Sequence, residues 1–239
     1  MPDKRYNMRI STGVSKLDDM IGGGFPPNSS ILIKGPPGTG KTTLCQQFIY
    51  SGLKNSAKGF YITSDASPED VIDKMSAFSW NIESFIKTRK LMFLDIYSWR
   101  VGGSHEEVWK RVVEGGLNID ALNLTLTDVL SELSNNHSKR GVFDSLSTLL
   151  LYVSTDMVIK FIPILIAKAK KGGVTELLVL EEGVHDEKTV NTLNFLTDGL
   201  IETKMEDGAK YMRIPRMRGT KCKGKWVEYE ITDNGLVFK

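Results

Sequence analysis

The sequence predicts an α/β protein with a mainly parallel sheet, helices on both faces, and antiparallel strands at its C-terminus. Short apolar runs alternate with helical patterns up to about Asp198, which is typical of parallel strands joined by crossover helices. Beyond that point, glycine turns such as Asp207-Gly208 and Asn234-Gly235 split the apolar runs and indicate hairpins. The 239 residues are 41% apolar, which suits one domain with a sizeable core.

We interpret residues 1–239 as a single domain, with a core over about 10–198 and a β extension over about 199–239. The net charge of +2 gives no overall field typical of a nucleic-acid binder. Two distant cysteines suggest neither a disulfide framework nor a zinc site. The polar N-terminus and the lack of a long uncharged apolar run predict a cytoplasmic protein without membrane insertion.

Five strands of the core are predicted from short apolar runs and the turn residues that bound them. They are Ser30 to Ile33, Gly59 to Thr63, Leu91 to Asp95, Gly141 to Asp144 and Leu177 to Leu180. The glycine-rich segment Val101 to Asn123 is expected to be an excursion at the edge of the sheet.

Four helices are predicted between these strands. Thr42 to Leu53 follows the first strand, and Ser67-Pro68-Glu69-Asp70 opens a second helix with a capping serine, a proline and two acids. A third is expected to start at Thr125, since apolar residues recur at i, i+3, i+4 and i+7 from Leu126. The fourth, capped by Asp156, is apolar nearly all round and is expected to be buried on several sides.

The segment Gly35-Pro36-Pro37-Gly38-Thr39-Gly40-Lys41-Thr42 fits the phosphate-binding pattern G-x-x-x-x-G-K-[ST]. A β-rich run precedes it, and a helix beginning with Thr42 and Thr43 follows. Glycines let backbone N–H groups surround phosphates, and the helix N-terminus adds a partial positive charge. Lys41, expected at the surface of the loop, can reach the β- and γ-phosphates. A chance Gly/Pro turn before a helix is the competing interpretation.

Two further positions complete a phosphate site. The hydroxyl of Thr42 and the carboxylate of Asp144, at the end of the fourth strand, are candidate ligands of Mg²⁺. Asp65, at the end of the second strand, is the candidate base that orients or deprotonates water. The alternatives are an ordinary strand-end turn at Asp144, and at Asp65 an acid that serves the helix beginning at Ser67.

With these residues assembled, the chain resembles the RecA-type ATPases, specifically single-domain KaiC-like proteins and RadA paralogues. The resemblance covers nearly the whole chain and is carried by several segments. They are Ile10 to Asp18, Gly22-Gly23-Gly24-Phe25-Pro26, Gln46-Gln47-Phe48, Ser67 to Asp70, Asp144-Ser145-Leu146-Ser147 and Ile231 to Gly235. It implies a RecA-like P-loop NTPase core that uses ATP and Mg²⁺. It also implies a homo-oligomer, a ring or filament, with nucleotide at the subunit interface.

Two positions bear on the rate of hydrolysis. The family usually carries paired glutamates where this chain has Asp65-Ala66, so slow turnover is expected. Glu181, at the end of the fifth strand, matches a polar sensor position of the family, and a solvated strand-end acid is the equal alternative.

The stretch from Lys210 to Lys225 holds seven basic residues and no acid. Within it, Arg216-Met217-Arg218-Gly219-Thr220 resembles a family motif whose charges point at the ATP of the neighbouring subunit. Such charges stabilise the transition state of phosphoryl transfer. Contact with nucleic-acid phosphates and a solvated strand face are the alternatives.

Three functions therefore stay open at this stage. The first is an Mg²⁺-dependent ATPase of the KaiC and RadA-paralogue type acting in an oligomer. The second is a nucleotide-gated binding module with negligible turnover, similar to the KaiC-like accessory component of the archaellum motor. The third is a recombination accessory that binds single-stranded DNA.

Overall fold

A computed structural model describes residues 9–100, 107–113, 117–134 and 138–239. In this part of the chain, ten strands form one sheet. The strands are β1 (Ser30–Gly35), β2 (Lys58–Thr63), β3 (Leu91–Asp95), β4 (Lys110–Val112), β5 (Lys139–Asp144), β6 (Val174–Glu181), β7 (Gly199–Glu206), β8 (Ala209–Met217), β9 (Val227–Thr232) and β10 (Gly235–Phe238). The predicted strands of the core are thus confirmed as β1, β2, β3, β5 and β6, several of them longer than the sequence indicated.

Eight α-helices and one short 3₁₀ turn, Ser98–Arg100, accompany the sheet in the same described ranges. The helices are α1 (Ser15–Met20), α2 (Lys41–Lys54), α3 (Pro68–Ala77), α4 (Glu83–Lys87), α5 (Ile119–Glu132), α6 (Leu146–Tyr152), α7 (Thr155–Lys171) and α8 (Glu187–Leu196). None of these helices is long and apolar enough to cross a membrane.

The strand order is β10-β9-β8-β7-β1-β6-β5-β2-β3-β4. The pairs from β7 through β1 to β4 are parallel, and the pairs from β7 through β8 to β10 are antiparallel. The predicted fold class is therefore confirmed. The antiparallel pairing begins one strand later than expected, because β7 also pairs in parallel with the central strand β1.

Apolar residues cover both faces of the sheet. In β1, Ile31 and Ile33 point to one cluster and Leu32 to the other, as the alternation of a strand requires. Helices α1 to α4 contribute to the first cluster, and helices α5 to α8 to the second. This double burial explains why the central strands read as continuous apolar runs.

Two helix starts differ from the prediction. α5 begins six residues before Thr125, where the Asn118 side chain accepts from the backbone N–H of Asp120 at 2.9 Å and of Ala121 at 3.1 Å. α7 begins after Ser154, and Asp156 lies in its first turn. Met157 and Ile164 of α7 are exposed, so this helix is less buried than expected.

The α3 start is as predicted: Ser67 and Asp70 exchange two hydrogen bonds, of 3.0 and 3.2 Å, in a capping box. Of the segment Val101 to Asn123, the described part supplies β4 at the edge of the sheet and the first turn of α5. Residues 101–106 and 114–116 of this segment lie outside the described ranges.

Candidate nucleotide-binding site

The glycine-rich loop joins the carboxyl end of β1 to the N-terminus of α2. Gly38 and Gly40 adopt φ angles of +79° and +85°, a region that side chains disfavour. Gly40 is also the N-cap of the 14-residue α2, and its cap makes no side-chain hydrogen bond. Pro37 and Gly38 are exposed at the tip of the loop, and Thr43 is half-buried in the first turn. The loop therefore presents a helix N-terminus to solvent, as a phosphate cradle requires.

The base of this loop packs against the C-terminal strands. A Cβ atom on Gly35 would lie 2.0 Å from Oγ1 of Thr203, in β7. A Cβ atom on Gly40 would lie 2.5 Å from Cδ1 of Ile231, in β9. The backbone of β7 leaves no room for a Cβ atom at Gly35, whereas at Gly40 the positive φ angle and the nearby Ile231 side chain together favour glycine.

Lys41 is buried, contrary to the expectation that it lies at the surface. Its Nζ donates to the carbonyl oxygens of Gly35 and Pro36, both at 2.8 Å, and contacts Oε2 of Glu181 at 2.9 Å. The register of the parallel pair β1–β6 sets Gly35 beside Glu181, which brings the carboxylate to the lysine. Glu181 is thus a partly exposed strand-end acid that is paired with Lys41, and its role as a sensor stays a prediction.

Asp144 ends β5 beside the start of α2. Its Oδ2 accepts a hydrogen bond of 2.8 Å from the Tyr61 hydroxyl, and the Thr42 side chain lies close enough to lower the pKa of the carboxyl group. Burial raises the pKa of Asp144 to about 6, and the hydroxyl groups of Thr42 and Tyr61 oppose this rise. Ser145, not Asp144, caps α6, so the carboxylate is not used by the turn that follows.

The donor set at this position fits Mg²⁺. The Thr42 hydroxyl and the Asp144 carboxylate are adjacent hard oxygen ligands. Mg²⁺ is commonly held by one or two such groups together with substrate phosphates. The loop N–H groups and Lys41 would bind those phosphates on the same side of the sheet.

Asp65 follows β2 at the same edge of the sheet. Its carboxylate accepts from the hydroxyls of Ser64 at 2.9 Å, Ser145 at 3.0 Å and Thr148. Ser67 and Asp70 already cap α3. The suggestion that Asp65 serves the helix at Ser67 is therefore wrong, because its carboxylate is directed to the first turn of α6 instead.

Arg216 and Arg218 lie at the opposite end of the central strands. The Arg216 guanidinium donates to the carbonyl oxygens of Thr197 at 2.9 Å and Asn194 at 2.6 Å. Nη1 of Arg218 is 3.1 Å from Oδ1 of the buried Asp198. The backbone N–H of Asp198 in turn donates to Ser30, the first residue of β1. The length of β1 therefore separates Arg218 from the phosphate loop of its own chain.

The other basic residues of the stretch 210–225 include an ion-paired arginine and three exposed lysines. Arg213 makes an ion pair of 2.5 Å with Glu202 and lies over the Trp226 ring. Lys221, Lys223 and Lys225 are exposed. With Lys16, these three lysines line a surface groove of about 490 Å³.

Sequence reasoning missed three hydroxyl groups of the site. Tyr61 binds Asp144, and Thr203 and Tyr229 contact Thr39 of the loop. A tyrosine within the apolar run Phe60-Tyr61-Ile62 was a usable signal, because a buried tyrosine hydroxyl needs a partner. Nothing local marks Thr203 or Tyr229.

Known proteins resemble this chain over nearly its whole length. A UPF0273 protein of Thermotoga maritima is 31% identical over 237 residues, covering 96% of this chain and 95% of the relative. A UPF0273 protein of Methanopyrus kandleri is 27% identical over 234 residues, covering 95% and 90%. The crystal structure of the KaiC-like protein PH0186 from Pyrococcus horikoshii OT3 aligns with a TM-score of 0.80 at 25% identity, covering 97% of this chain and 99% of that one.

A family model described as "ATPase: KaiC" matches residues 10–239, which include every candidate site residue. The architecture is the RecA-like fold that the resemblance in sequence implied. The chain belongs to the KaiC family of ATPases.

Proposed function

We propose that this protein binds Mg-ATP at the glycine-rich loop and hydrolyses it slowly within an oligomer. The observation that carries the proposal is the convergence of Lys41, Thr42 and Asp144 at the N-terminus of α2. A lysine, a hydroxyl and a carboxylate beside free helix N–H groups are what a nucleoside triphosphate and its metal require.

Each group has a distinct part in this proposal. The N–H groups of Gly38 to Thr43 surround the phosphates, and Lys41 turns from Glu181 to the β- and γ-phosphates. Thr42 and Asp144 hold Mg²⁺, which supplies charge neutralisation on the phosphate oxygens when bound. Tyr61 keeps the Asp144 carboxylate oriented through its hydroxyl.

Slow turnover is supported by the surroundings of Asp65. Three hydroxyl donors engage its carboxylate, and the next residue is Ala66 rather than a second acid. To act on water, Asp65 must release at least one of these partners. The same observation favours a second candidate function, a nucleotide-gated binding module with negligible turnover.

Action in an oligomer is supported by the position of the two arginines. Arg218 lies at the same end of the sheet as the first residue of β1, whereas the glycine-rich loop follows the last residue of β1. A strand of six residues spans about 16 Å, which is beyond the reach of an arginine side chain. If Arg216 and Arg218 act on ATP, they act on the ATP of a neighbouring subunit.

The test compares Lys41→Met with Lys54→Met, at the other, exposed end of the same helix. We expect Lys41→Met to weaken Mg-ATP binding by about 100-fold or more, because a charged contact to the phosphates is lost. Lys54→Met should bind as the wild type does. Circular dichroism checks that each variant is folded. Titration calorimetry measures Mg-ATP binding, and phosphate release measures the rate of turnover.

Unchanged ATP affinity in a folded Lys41→Met protein would overturn the phosphate-site assignment. Tight binding by the wild type without measurable phosphate release would favour the binding module over the ATPase.

A further inference from the structure

The C-terminal strands hold the glycine-rich loop at one residue, Thr39. The hydroxyl of Tyr229, in β9, donates to the carbonyl oxygen of Thr39. The Thr39 hydroxyl lies 2.8 Å from Oγ1 of Thr203, in β7. It also lies 2.9 Å from the carbonyl oxygen of Pro36, to which it donates. Both the backbone and the side chain of Thr39 are therefore fixed by groups 164 to 190 residues away in sequence.

The fold directs Tyr229 to this position. Tyr229 and Ile231 are two residues apart in β9, so both point to the same face of the strand. The Ile231 side chain lies against Gly40, and the Tyr229 hydroxyl contacts the carbonyl oxygen of the preceding residue, Thr39. The Tyr229 ring is 1% exposed and packs on Phe238 of β10 at 5.8 Å between ring centres.

The anchored carbonyl has a consequence for phosphate binding. The Thr39–Gly40 peptide is planar and trans, so its C=O and N–H point in opposite directions. Because Tyr229 draws the carbonyl of Thr39 toward the C-terminal strands, the N–H of Gly40 is turned away from them. Gly40 is the N-cap of α2. The backbone N–H groups at a helix N-terminus have no partner within the helix and can bind an anion.

We infer that Tyr229 is a positioning residue for nucleotide binding, one that orients the Gly40 N–H toward the phosphates by holding the carbonyl of Thr39. The inference deepens the proposed function and depends on ATP binding at the loop. Burial raises the pKa of Tyr229, so its hydroxyl keeps its proton and donates at all physiological pH values. Thr203 supports the same residue from β7.

The experiment removes single hydroxyl groups. Tyr229→Phe keeps the ring and its packing, and Tyr211→Phe, in the neighbouring strand β8, is the matched control. Mg-ATP and inorganic tripolyphosphate serve as titrants, because tripolyphosphate reports on the loop without the base. We expect Tyr229→Phe to weaken both ligands by about 5- to 20-fold, since a misaligned N–H loses a charge-assisted hydrogen bond.

A second variant keeps the inference testable if Tyr229→Phe does not fold. Thr203→Val removes the other hydroxyl that holds Thr39, whereas Thr203→Ser retains it. We expect Thr203→Val to weaken tripolyphosphate binding by about 3- to 10-fold. Thr203→Ser should keep most of the wild-type affinity. The amide proton of Gly40, followed by NMR, should shift in Tyr229→Phe without ligand.

The outcomes separate this inference from the proposed function. A wild type that binds no ATP contradicts the proposed function itself. A wild type that binds ATP, with Tyr229→Phe and Thr203→Val binding as tightly, overturns the positioning role alone. Lower thermal stability of Tyr229→Phe with unchanged affinity for both ligands also overturns it, because the hydroxyl would then be merely structural.

Discussion

The two ends of the central strands hold similar charged groups, but these groups have different partners at each end. At the carboxyl end, Lys41 contacts carbonyl oxygens and a partly exposed Glu181, and Asp144 contacts two hydroxyls. At the amino end, the buried Asp198 carboxylate makes ion pairs with Lys170 at 3.0 Å and with Arg218 at 3.1 Å, and it accepts a hydrogen bond from the backbone N–H of Ser30. The first set lies beside the glycine-rich loop, whereas the Asp198 carboxylate has three partners within the chain, at the other end of β1.

Burial acts on one carboxyl group at each end. It raises the pKa of Asp144 to about 6 and that of Glu176, at the amino end, to about 8. Glu176 is therefore mostly neutral at pH 7 and hydrogen-bonds Ser30 at 2.6 Å. Asp144 is mostly ionised at the same pH, which keeps its charge available for a cation. The carboxyl end therefore keeps an ionised carboxylate beside the loop, whereas Glu176 at the amino end is a neutral group hydrogen-bonded within the chain.

The largest effect is expected from Asp144→Asn, which removes the charge at the carboxyl end. We expect the gain in ATP affinity that Mg²⁺ provides to fall by about 100-fold, or about 3 kcal/mol, since the metal loses its anionic protein ligand. Titration with Mg²⁺ and with EDTA measures this gain. Asp207→Asn, at an exposed turn, is the control. An equal Mg²⁺ effect in both variants would show that Asp144 does not hold the metal.

The pH dependence of the same variant sharpens the comparison. The folded pKa of Asp144, about 6, lies above its ordinary value of 3.8, so the folded state binds the proton more tightly than the unfolded state. Its contribution therefore makes the free energy of unfolding decrease as the pH rises from about 4 to 6. Asp144→Asn should lack this decrease, and in the wild type Mg²⁺-dependent binding should weaken as the pH falls through about 6.

A smaller effect is expected from Arg218→Ala, at the amino end. We expect turnover to fall by about 10-fold or more if Arg218 acts on a neighbour's ATP, while nucleotide binding at the loop stays near wild type. The ion pair with Asp198 is worth at most about 1 kcal/mol of stability, because the Arg218 side chain is 78% exposed. Lys223→Ala is the matched control.

Mixing the subunits distinguishes the alternatives for Arg218. Arg218→Ala subunits mixed with Lys41→Met subunits should regain part of the activity, because one interface then combines an intact loop with an intact arginine. No recovery, together with a salt dependence of single-strand binding that falls by about one unit per lost contact, would favour the nucleic-acid hypothesis instead.

Local patterns sufficed for the parallel core and the phosphate loop. The residues of the motif Gly35 to Thr42 specify the conformation of the loop locally. Parallel strands place their carboxyl ends at one edge of the sheet, whatever their order in it. Asp65 and Asp144 could therefore be placed near the loop from sequence. The hydrogen bonds of these two residues could not be predicted, because they depend on which helix follows each strand and how closely that helix packs.

Contacts between distant strands were beyond sequence reasoning. The ion pair between Lys41 and Glu181 depends on the register of β1 with β6. The position of β7 beside β1 decides that Thr203 meets the loop. Neither pairing leaves a local signal, because an apolar run is equally suited to several neighbours.

The early start of α5 has a different cause. Thr125-Leu126-Thr127-Asp128 has the composition of a helix start, yet it lies in the helix interior. There, the Thr125 hydroxyl donates to the carbonyl oxygen of Ala121 at 2.9 Å. Threonine can bond its own helix in this way as well as cap one, so composition alone does not separate the two uses.

The smallest effect, and one of opposite sign, is expected from Glu181→Gln. Glutamine keeps a hydrogen-bond acceptor for Lys41 and removes the negative charge that competes with phosphate oxygens for it. We expect ATP to bind about 5- to 10-fold more tightly, or by about 1 kcal/mol, as measured by calorimetry at low and high salt. Glu182→Gln is the control, because that neighbouring side chain is 53% exposed and lies 3.9 Å from Lys34. Weaker ATP binding in Glu181→Gln would contradict the competition and favour the sensor role, in which the carboxylate responds to bound nucleotide.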